Sequence, residues 1–351
     1  MPSLDRISIR GFKSIASLED FELRKVNILV GANGSGKSNF LEFFAFLRAM
    51  CGFSLPFLPV GGLANYCAVH GGCETILHNG IKTTSSLKAS LDSEGTTFSL
   101  ELLPTADNSL VFARHNDASA SEGSRAVGKE ELENRKSPLH KAVASWQLFH
   151  FNATEMAAPL RKSSNVFDDA YLRPDASNLA AFLLHLRKTA PKSYMNIVWT
   201  TRLVIPSFDH FVFREQPGDR VRLFWKAARS GNLLGTHQLS DGSLRYIALA
   251  TAFLQPNPPS LMLVDEPEIG QSPVAMGLLA DMIHALPSTT RVVLATQSQR
   301  LIHSFEPEDL VRVRFENGAS VFERMQIRDY PEWVRDCPMG DLRRRNVICN
   351  V

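Results

Sequence analysis

An α/β fold around a split nucleotide-binding core is what this 351-residue sequence predicts, on three observations. A complete phosphate-loop pattern, Gly31-Ala-Asn-Gly-Ser-Gly-Lys37-Ser38, stands between an apolar strand and an apolar helix. An apolar run, Leu261-Met-Leu-Val, ends in two carboxylates, Asp265 and Glu266. From Ser243 onward, strand and helix patterns alternate, the rhythm of parallel strands joined by crossover helices. Together these describe a P-loop NTPase.

Taken in order, residues 6–12 alternate as a strand, and residues 16–23 return beside it. Residues 26–30 read as a buried strand and residues 39–48 as an apolar helix, with the phosphate loop between them. Glycines there let backbone N–H groups turn inward around phosphate oxygens. Lys37 reaches the β- and γ-phosphates, the Ser38 hydroxyl binds Mg²⁺, and the helix offers its positive N-terminus. Asn33, Gly34, Ser35, Gly36, Lys37, Ser38 and Asn39 are thus the candidate nucleotide-binding residues, for ATP or GTP.

Residues 51–79 are Gly-rich and irregular, a loop with short helical turns. Residues 86–91, 97–103 and 110–113 read as successive strands, whereas residues 116–137 hold almost no apolar side chains and read as a mobile surface loop. A strand over 146–151 precedes helical spacing over 178–188 and 192–203, then strands over 205–213 and 221–225. The closing rhythm is a helix from 243, a strand over 261–264, a helix over 274–286 and a strand over 291–295. The expected organisation is one split domain. Its core lies in 1–50 and 238–300, with an antiparallel β insertion in 51–145, a helical lobe with return strands in 146–237, and C-terminal strands and a tail in 301–351. No heptad series or internal repeat is visible, which excludes a long coiled-coil arm.

Composition narrows the setting. At 44% hydrophobic and 21% charged residues, this is an ordinary globular chain. A net charge of +2 gives no domain-wide field, so any nucleic-acid contact must come from local patches. Arg343-Arg344-Arg345 is one such cluster and reads as a solvated tail. The five cysteines are odd in number and lack a C-x-x-C pair, so neither a zinc site nor a disulfide framework is supported. Reduced thiols and the lack of an N-terminal leader pattern point to the cytoplasm. No apolar run is long enough to span a membrane.

Beside a phosphate loop, the carboxylates at 265–266 acquire roles. Asp265 is placed to hold Mg²⁺, directly or through water, and Glu266 to polarise an attacking water as general base. A third element, Gln238-Leu-Ser240-Asp241-Gly242-Ser243-Leu-Arg245, is by itself an ordinary helix cap. Its position before Asp265 gives it more weight. Here the sequence resembles the RecF/SMC-like group of ABC-type ATPases, in which a Leu-Ser-x-Gly signature precedes the Asp-Glu-Pro strand by a similar distance. The resemblance extends to Ile9-Arg10-Gly-Phe-Lys13-Ser14, to the phosphate loop through Asn39, to Asp265-Glu-Pro-Glu-Ile-Gly270 and to Ala295-Thr-Gln-Ser298, in the family's order. Residues 171–179 also look like a segment of compact bacterial RecF-like ATPases.

The resemblance implies an ABC/RecF-type head with a mixed β-sheet core, an N-terminal antiparallel sheet lobe and an inserted helical lobe. It also implies a homodimer closed around two ATP molecules. Each γ-phosphate would lie between one subunit's phosphate loop and its partner's signature, where Ser240, Asp241 and Gly242 would act in trans. The family's usual switch histidine is replaced by Gln297, which can hydrogen-bond a phosphate but cannot carry a proton, so turnover should be slow. Asp241 departs from the transporter-type signature, and residues 269–273 lack the usual Leu-His before the proline. For Arg10 and Lys13 two readings stay open, approach to the nucleotide or solvent-facing alternation on a strand. For the whole chain the readings are an ATP-gated protein acting on duplex DNA, in repair, recombination or anti-phage defence, or an ATPase subunit controlling a separately encoded nuclease or toxin. A transporter ATPase is disfavoured by the N-terminal hairpin and the long insertion.

Overall fold

A computed structural model describes residues 4–55, 60–113 and 124–326; Arg343–Arg345, Cys337 and Cys349 lie outside the described residues. Two antiparallel strands open the chain, β1 (Leu4–Phe12) and β2 (Ile15–Glu22), with Ile7, Ile9, Ile15 and Leu18 buried. All five residues of β3 (Val26–Val30) are buried, as in the centre of a parallel sheet. The helix after the phosphate loop is α1 (Lys37–Met50), buried around almost its whole circumference. Short helices α2 (Leu63–Val69) and α3 (Cys73–Ile76) follow. Next come β4 (Leu87–Ser93), β5 (Thr96–Pro104), β6 (Leu110–Phe112) and β7 (Ser124–Ala126). Helices α4 (Lys129–Glu133) and α5 (Pro138–Ala144) lead into β8 (Trp146–Phe149).

The chain continues through β9 (Ser164–Asn165), α6 (Leu179–Thr189), α7 (Pro191–Val204), β10 (Phe208–Gln216), β11 (Arg220–Ala227) and β12 (Leu233–Gly235). After α8 (Asp241–Leu254), β13 (Leu261–Asp265), α9 (Pro273–His284) and β14 (Arg291–Thr296) alternate as the sequence predicts. The last described elements are α10 (Gln299–Ile302), β15 (Leu310–Glu316) and β16 (Ala319–Arg324).

These elements form two units. The first comprises Met1–Leu148, Pro259–Asp265 and Ser288–Val351. It holds an N-terminal sheet in the order β2-β1-β4-β5-β6, with β7 beside β5, and a second sheet in the order β16-β15-β3-β14-β13-β8. In the second sheet β15, β3, β14 and β13 run parallel, and β16 returns antiparallel to β15. Helix α1 joins the two sheets through aromatic packing. Phe43 meets Phe12 of β1 at 5.1 Å between centroids, Phe40 meets Phe21 of β2 at 5.4 Å, and Phe44 meets Trp146 of β8 at 5.6 Å. The second unit comprises Phe149–Pro258 and Glu266–Pro287, with helices α6 to α9 and a sheet in the order β10-β11-β12, in which β9 also pairs with β11.

Three local expectations are corrected. The stretch 116–137 is not simply a loop: residues 114–123 lie outside the described ones, but β7 and α4 occupy much of the rest, anchored by buried Val127 and Leu132. One pairing in the N-terminal sheet is parallel, β5 with β7, where the sequence suggested only antiparallel strands. The strand expected from 205 starts at Phe208, because α7 runs on to Val204 and Pro206 forces the residue before it out of helical geometry.

Phe44 is fully buried and touches Phe40, Phe43 and Trp146. Phe44→Ala should therefore destabilise the protein by about 3–5 kcal/mol, read as a lower urea midpoint. An unchanged midpoint would show that α1 is not the packing centre of its unit.

Candidate nucleotide site

Register brings the chemistry together. Ala295 of β14 lies opposite Asp265 of β13 on one side and Leu29 of β3 on the other. The phosphate loop starts one residue after β3, Gln297 follows β14 directly, and Asp265 closes β13. All three therefore reach the carboxyl edge of adjacent parallel strands, where ligands bind in open α/β sheets.

The loop is held by close approach on both flanks. A Cβ on Gly31 would sit 2.1 Å from the Val313 carbonyl oxygen. One on Gly36 would sit 1.9 Å from Ser320 Oγ and 2.7 Å from Ser14 Oγ, and Gly36 also has φ 105°. Ser320 Oγ and Asn39 Nδ2 both donate to Ser14 Oγ, at 2.6 Å and 2.7 Å, and the Ser320 amide donates to the Ser14 carbonyl at 2.7 Å. The loop is thereby fastened to the β1–β2 turn and to β16. Lys37 is buried, and its Nζ donates to the Gly31 and Ala32 carbonyls at 2.8 Å each. Its charge is thus held inside the loop, next to first-turn amides of α1 that have no intrahelical acceptor. Residues Asn33, Gly34 and Ser38 are exposed. Asn33, Gly34 and Ser35 also line a cleft of about 320 Å³ whose other wall includes Arg314 and Phe315 of β15.

Gln297 Nε2 donates to Asn33 Oδ1, which joins the end of β14 to the loop. Asp265 is half-buried, and Ser38 and Asp265 offer the hard oxygen ligands that a divalent cation takes. Among the described residues no cluster of three or more His, Cys, Asp or Glu could hold a metal, so water and phosphate oxygens would supply the remaining ligands. Glu266, the next residue in the chain, has φ 46°, a left-handed conformation that is uncommon for a residue with a Cβ. Arg10 is exposed and ion-paired with Glu19 on β2, and its guanidinium holds that carboxyl below its usual range. Lys13 is ion-paired with Glu42 on α1, which also accepts from the Tyr66 hydroxyl at 2.9 Å.

In the second unit, Ser240 caps α8: its Oγ accepts from the Ser243 amide at 3.1 Å and donates to Ser243 Oγ at 2.8 Å. From Leu244 to Phe253 every residue of α8 is buried, but Ser240 and Asp241 are exposed. Two arginines fix this turn. Buried Arg161 donates to Asp241 at 2.7 Å, to the Leu239 carbonyl at 3.1 Å, to the Thr154 carbonyl at 2.7 Å and to the Thr236 carbonyl. Arg245 donates to the carbonyls of Phe151 at 2.9 Å and Asn152 at 3.2 Å, and to that of Ile269; burial lowers its pKa, and Asp241 opposes the shift. Gln271 Nε2 donates to the Gly242 carbonyl at 3.0 Å.

Sequence reasoning missed Arg161 and Ser320 as parts of these arrangements. Each lies far along the chain from what it holds, 80 residues from Asp241 and 306 from Ser14, so no local spacing marks it.

Comparisons with known proteins bear on the fold and the family. A family model described as "AAA domain, putative AbiEii toxin, Type IV TA system" matches residues 26–68 and 81–303. Among solved structures, an SMC head bound to the C-winged helix domain of ScpA matches with a TM-score of 0.61 at 16% identity, covering 93% of this chain and 99% of that one. The SMC head with an extended coiled coil bound to the C-terminal domain of ScpA, from Pyrococcus furiosus, matches with a TM-score of 0.55 at 14% identity, covering 94% and 98%. No curated protein matches the chain in sequence. The fold is that of an SMC-type ATPase head, and the chain belongs to the AAA-domain family whose model spans most of it.

A Cβ on Gly242 would lie 2.1 Å from the carbonyl oxygen of Gly270, whose own φ is 73°. Gly242→Ala should cost about 1–3 kcal/mol in urea unfolding, since the atoms that the added methyl meets are the Gly270 backbone, which cannot swing aside as a flexible side chain would. Stability equal to wild type would show that the two loops do not pack this closely.

Proposed function

We propose that this AAA-domain protein is a slow ATP-driven switch whose protomers close face to face around two Mg²⁺·ATP and act on duplex DNA. The observation that carries the reading is the preorganised turn at Ser240–Gly242. Helix α8 is buried except at its N-terminus, and that exposed end is fixed by Arg161 and Arg245. A rigid, exposed helix N-terminus suits an anion arriving from outside, here the γ-phosphate held by a second protomer.

In this reading Lys37 and the first amides of α1 hold the phosphates, and Ser38 with Asp265 would hold Mg²⁺. The cation, when bound, neutralises charge on the β- and γ-phosphates. Glu266 takes the proton of the attacking water. Gln297 donates to the γ-phosphate region without exchanging a proton, which favours slow turnover. Ser240 exchanges its bond to Ser243 Oγ for one to the partner's nucleotide. Loss of the γ-phosphate removes the group both protomers grip, and the dimer opens.

The second reading, an ATPase arm governing a separately encoded effector, is favoured by the toxin–antitoxin wording of the family's description. Duplex DNA binding that falls with salt and rises with a non-hydrolysable ATP analogue supports the DNA reading. DNA-indifferent ATPase activity with a co-purifying partner supports the other.

Glu266→Gln should retain ATP binding, lower hydrolysis by about 10²-fold or more, and accumulate dimer on size-exclusion chromatography in ATP. For wild type, the rate per subunit should rise with protein concentration. An unchanged rate in Glu266→Gln refutes the base assignment, and a concentration-independent rate refutes the shared site.

A further inference from the structure

The β10–β11 pair has a chemically distinct outer face. Phe211, Val221, Leu223 and Trp225 are buried on one side of it. On the other, the register sets Arg214 opposite Arg222, Val212 opposite Phe224, His210 opposite Lys226 and Gln216 opposite Arg220. Like charges placed directly opposite on one face destabilise a strand pair. Among the described residues, no carboxylate lies at ion-pair distance from Arg214, Arg222 or Lys226. Both guanidinium groups instead lie over the Phe224 ring, 5.2 Å and 5.8 Å from its centroid. The Nε of Arg222 is buried without a hydrogen-bond partner. The nearby carboxylates serve elsewhere: Glu215 is paired with Val221 on the opposite face, Asp219 sits in the turn, and Asp209 binds Arg202 and His210.

We infer that this face binds the phosphate backbone of duplex DNA, with Arg214 and Arg222 sharing a phosphate and Lys226 and Arg220 extending the contact. The inference rests on the DNA reading above and supplies the surface that reading requires. With a net charge of only +2, attraction to a polyanion has to be local, and this row of cations is local. Strand residues two apart stand about 6.6 Å from each other, so Arg220, Arg222 and Lys226 make a spaced cationic line rather than one point of charge. An anion between Arg214 and Arg222 turns their repulsion into two charge-assisted hydrogen bonds. Arg220 is already oriented by Ser163, whose Oγ accepts from its Nε at 2.9 Å. Phe224 is the aromatic of the row, and both guanidinium groups already engage its ring. It is therefore poorly placed to stack on an unpaired base, which favours duplex over single strand.

The test is fluorescence anisotropy of a labelled mixed-sequence duplex, titrated with wild type and with the Arg214→Gln/Arg222→Gln double variant across a salt series. A fluorescent ATP analogue is bound in parallel as a control for folding. The double variant should bind duplex at least about tenfold more weakly, with a salt slope shallower by about 0.9, because the two arginines share one phosphate. ATP-analogue affinity should be unchanged, and Arg214→Lys/Arg222→Lys should recover most of the binding. Wild-type binding matched by the double variant in both affinity and slope overturns this site and leaves the DNA reading standing. Wild type that binds no duplex in any nucleotide state overturns both. Tighter binding to single strand than to duplex overturns the choice of ligand.

Discussion

Parallel, in-register pairing of β3, β14 and β13 is the constraint on which the candidate site depends. Ala295 faces Leu29 on one side and Asp265 on the other, so the three strands finish level. A one-residue slip in either pairing would move every side chain of the strand to the opposite face, against packing it does not fit, and offset the carboxylate from the phosphate loop. What prevents the slip is burial: β3 is covered at every position, and α1 packs its aromatic residues against the neighbouring elements. The chemistry at the sheet edge is held in place by hydrocarbon behind it.

The phosphate loop and the signature turn follow one design, with different parts. Both are short turns at a helix N-terminus, and in both a glycine is needed because another backbone or side chain lies where a Cβ would go. The loop is fastened by hydroxyl and amide groups, Ser14, Ser320 and Asn39. The signature is fastened by guanidinium groups, whose several donors reach several carbonyls at once. Each leaves exposed residues at its helix N-terminus, Ser38 in one and Ser240 and Asp241 in the other.

Much of this was legible in the sequence, for a physical reason. A phosphate loop needs glycines, a lysine and a hydroxyl at fixed spacing, and a buried parallel strand needs an unbroken apolar run, so Gly31–Ser38 and Leu261–Glu266 announce themselves. Gln297 could be placed because it follows such a run. Arg161 could not: an arginine that holds three carbonyls from two segments has the composition of any surface arginine until the chain folds around it. The pairing of β7 with β5 was equally hidden, since three residues carry no period. The cross-strand meeting of Arg214 and Arg222 depends on the hairpin register set by the Pro217-Gly218-Asp219 turn, a signal that the expected strands over 205–213 and 221–225 did not use.

The contact between Gln297 and Asn33 has one more consequence. Both side chains are carboxamides, which stay neutral across the whole physiological pH range, unlike an imidazole. The link between the end of β14 and the phosphate loop is therefore blind to acidity. A fall in pH into the range where an imidazole takes up a proton would leave this joint unaltered.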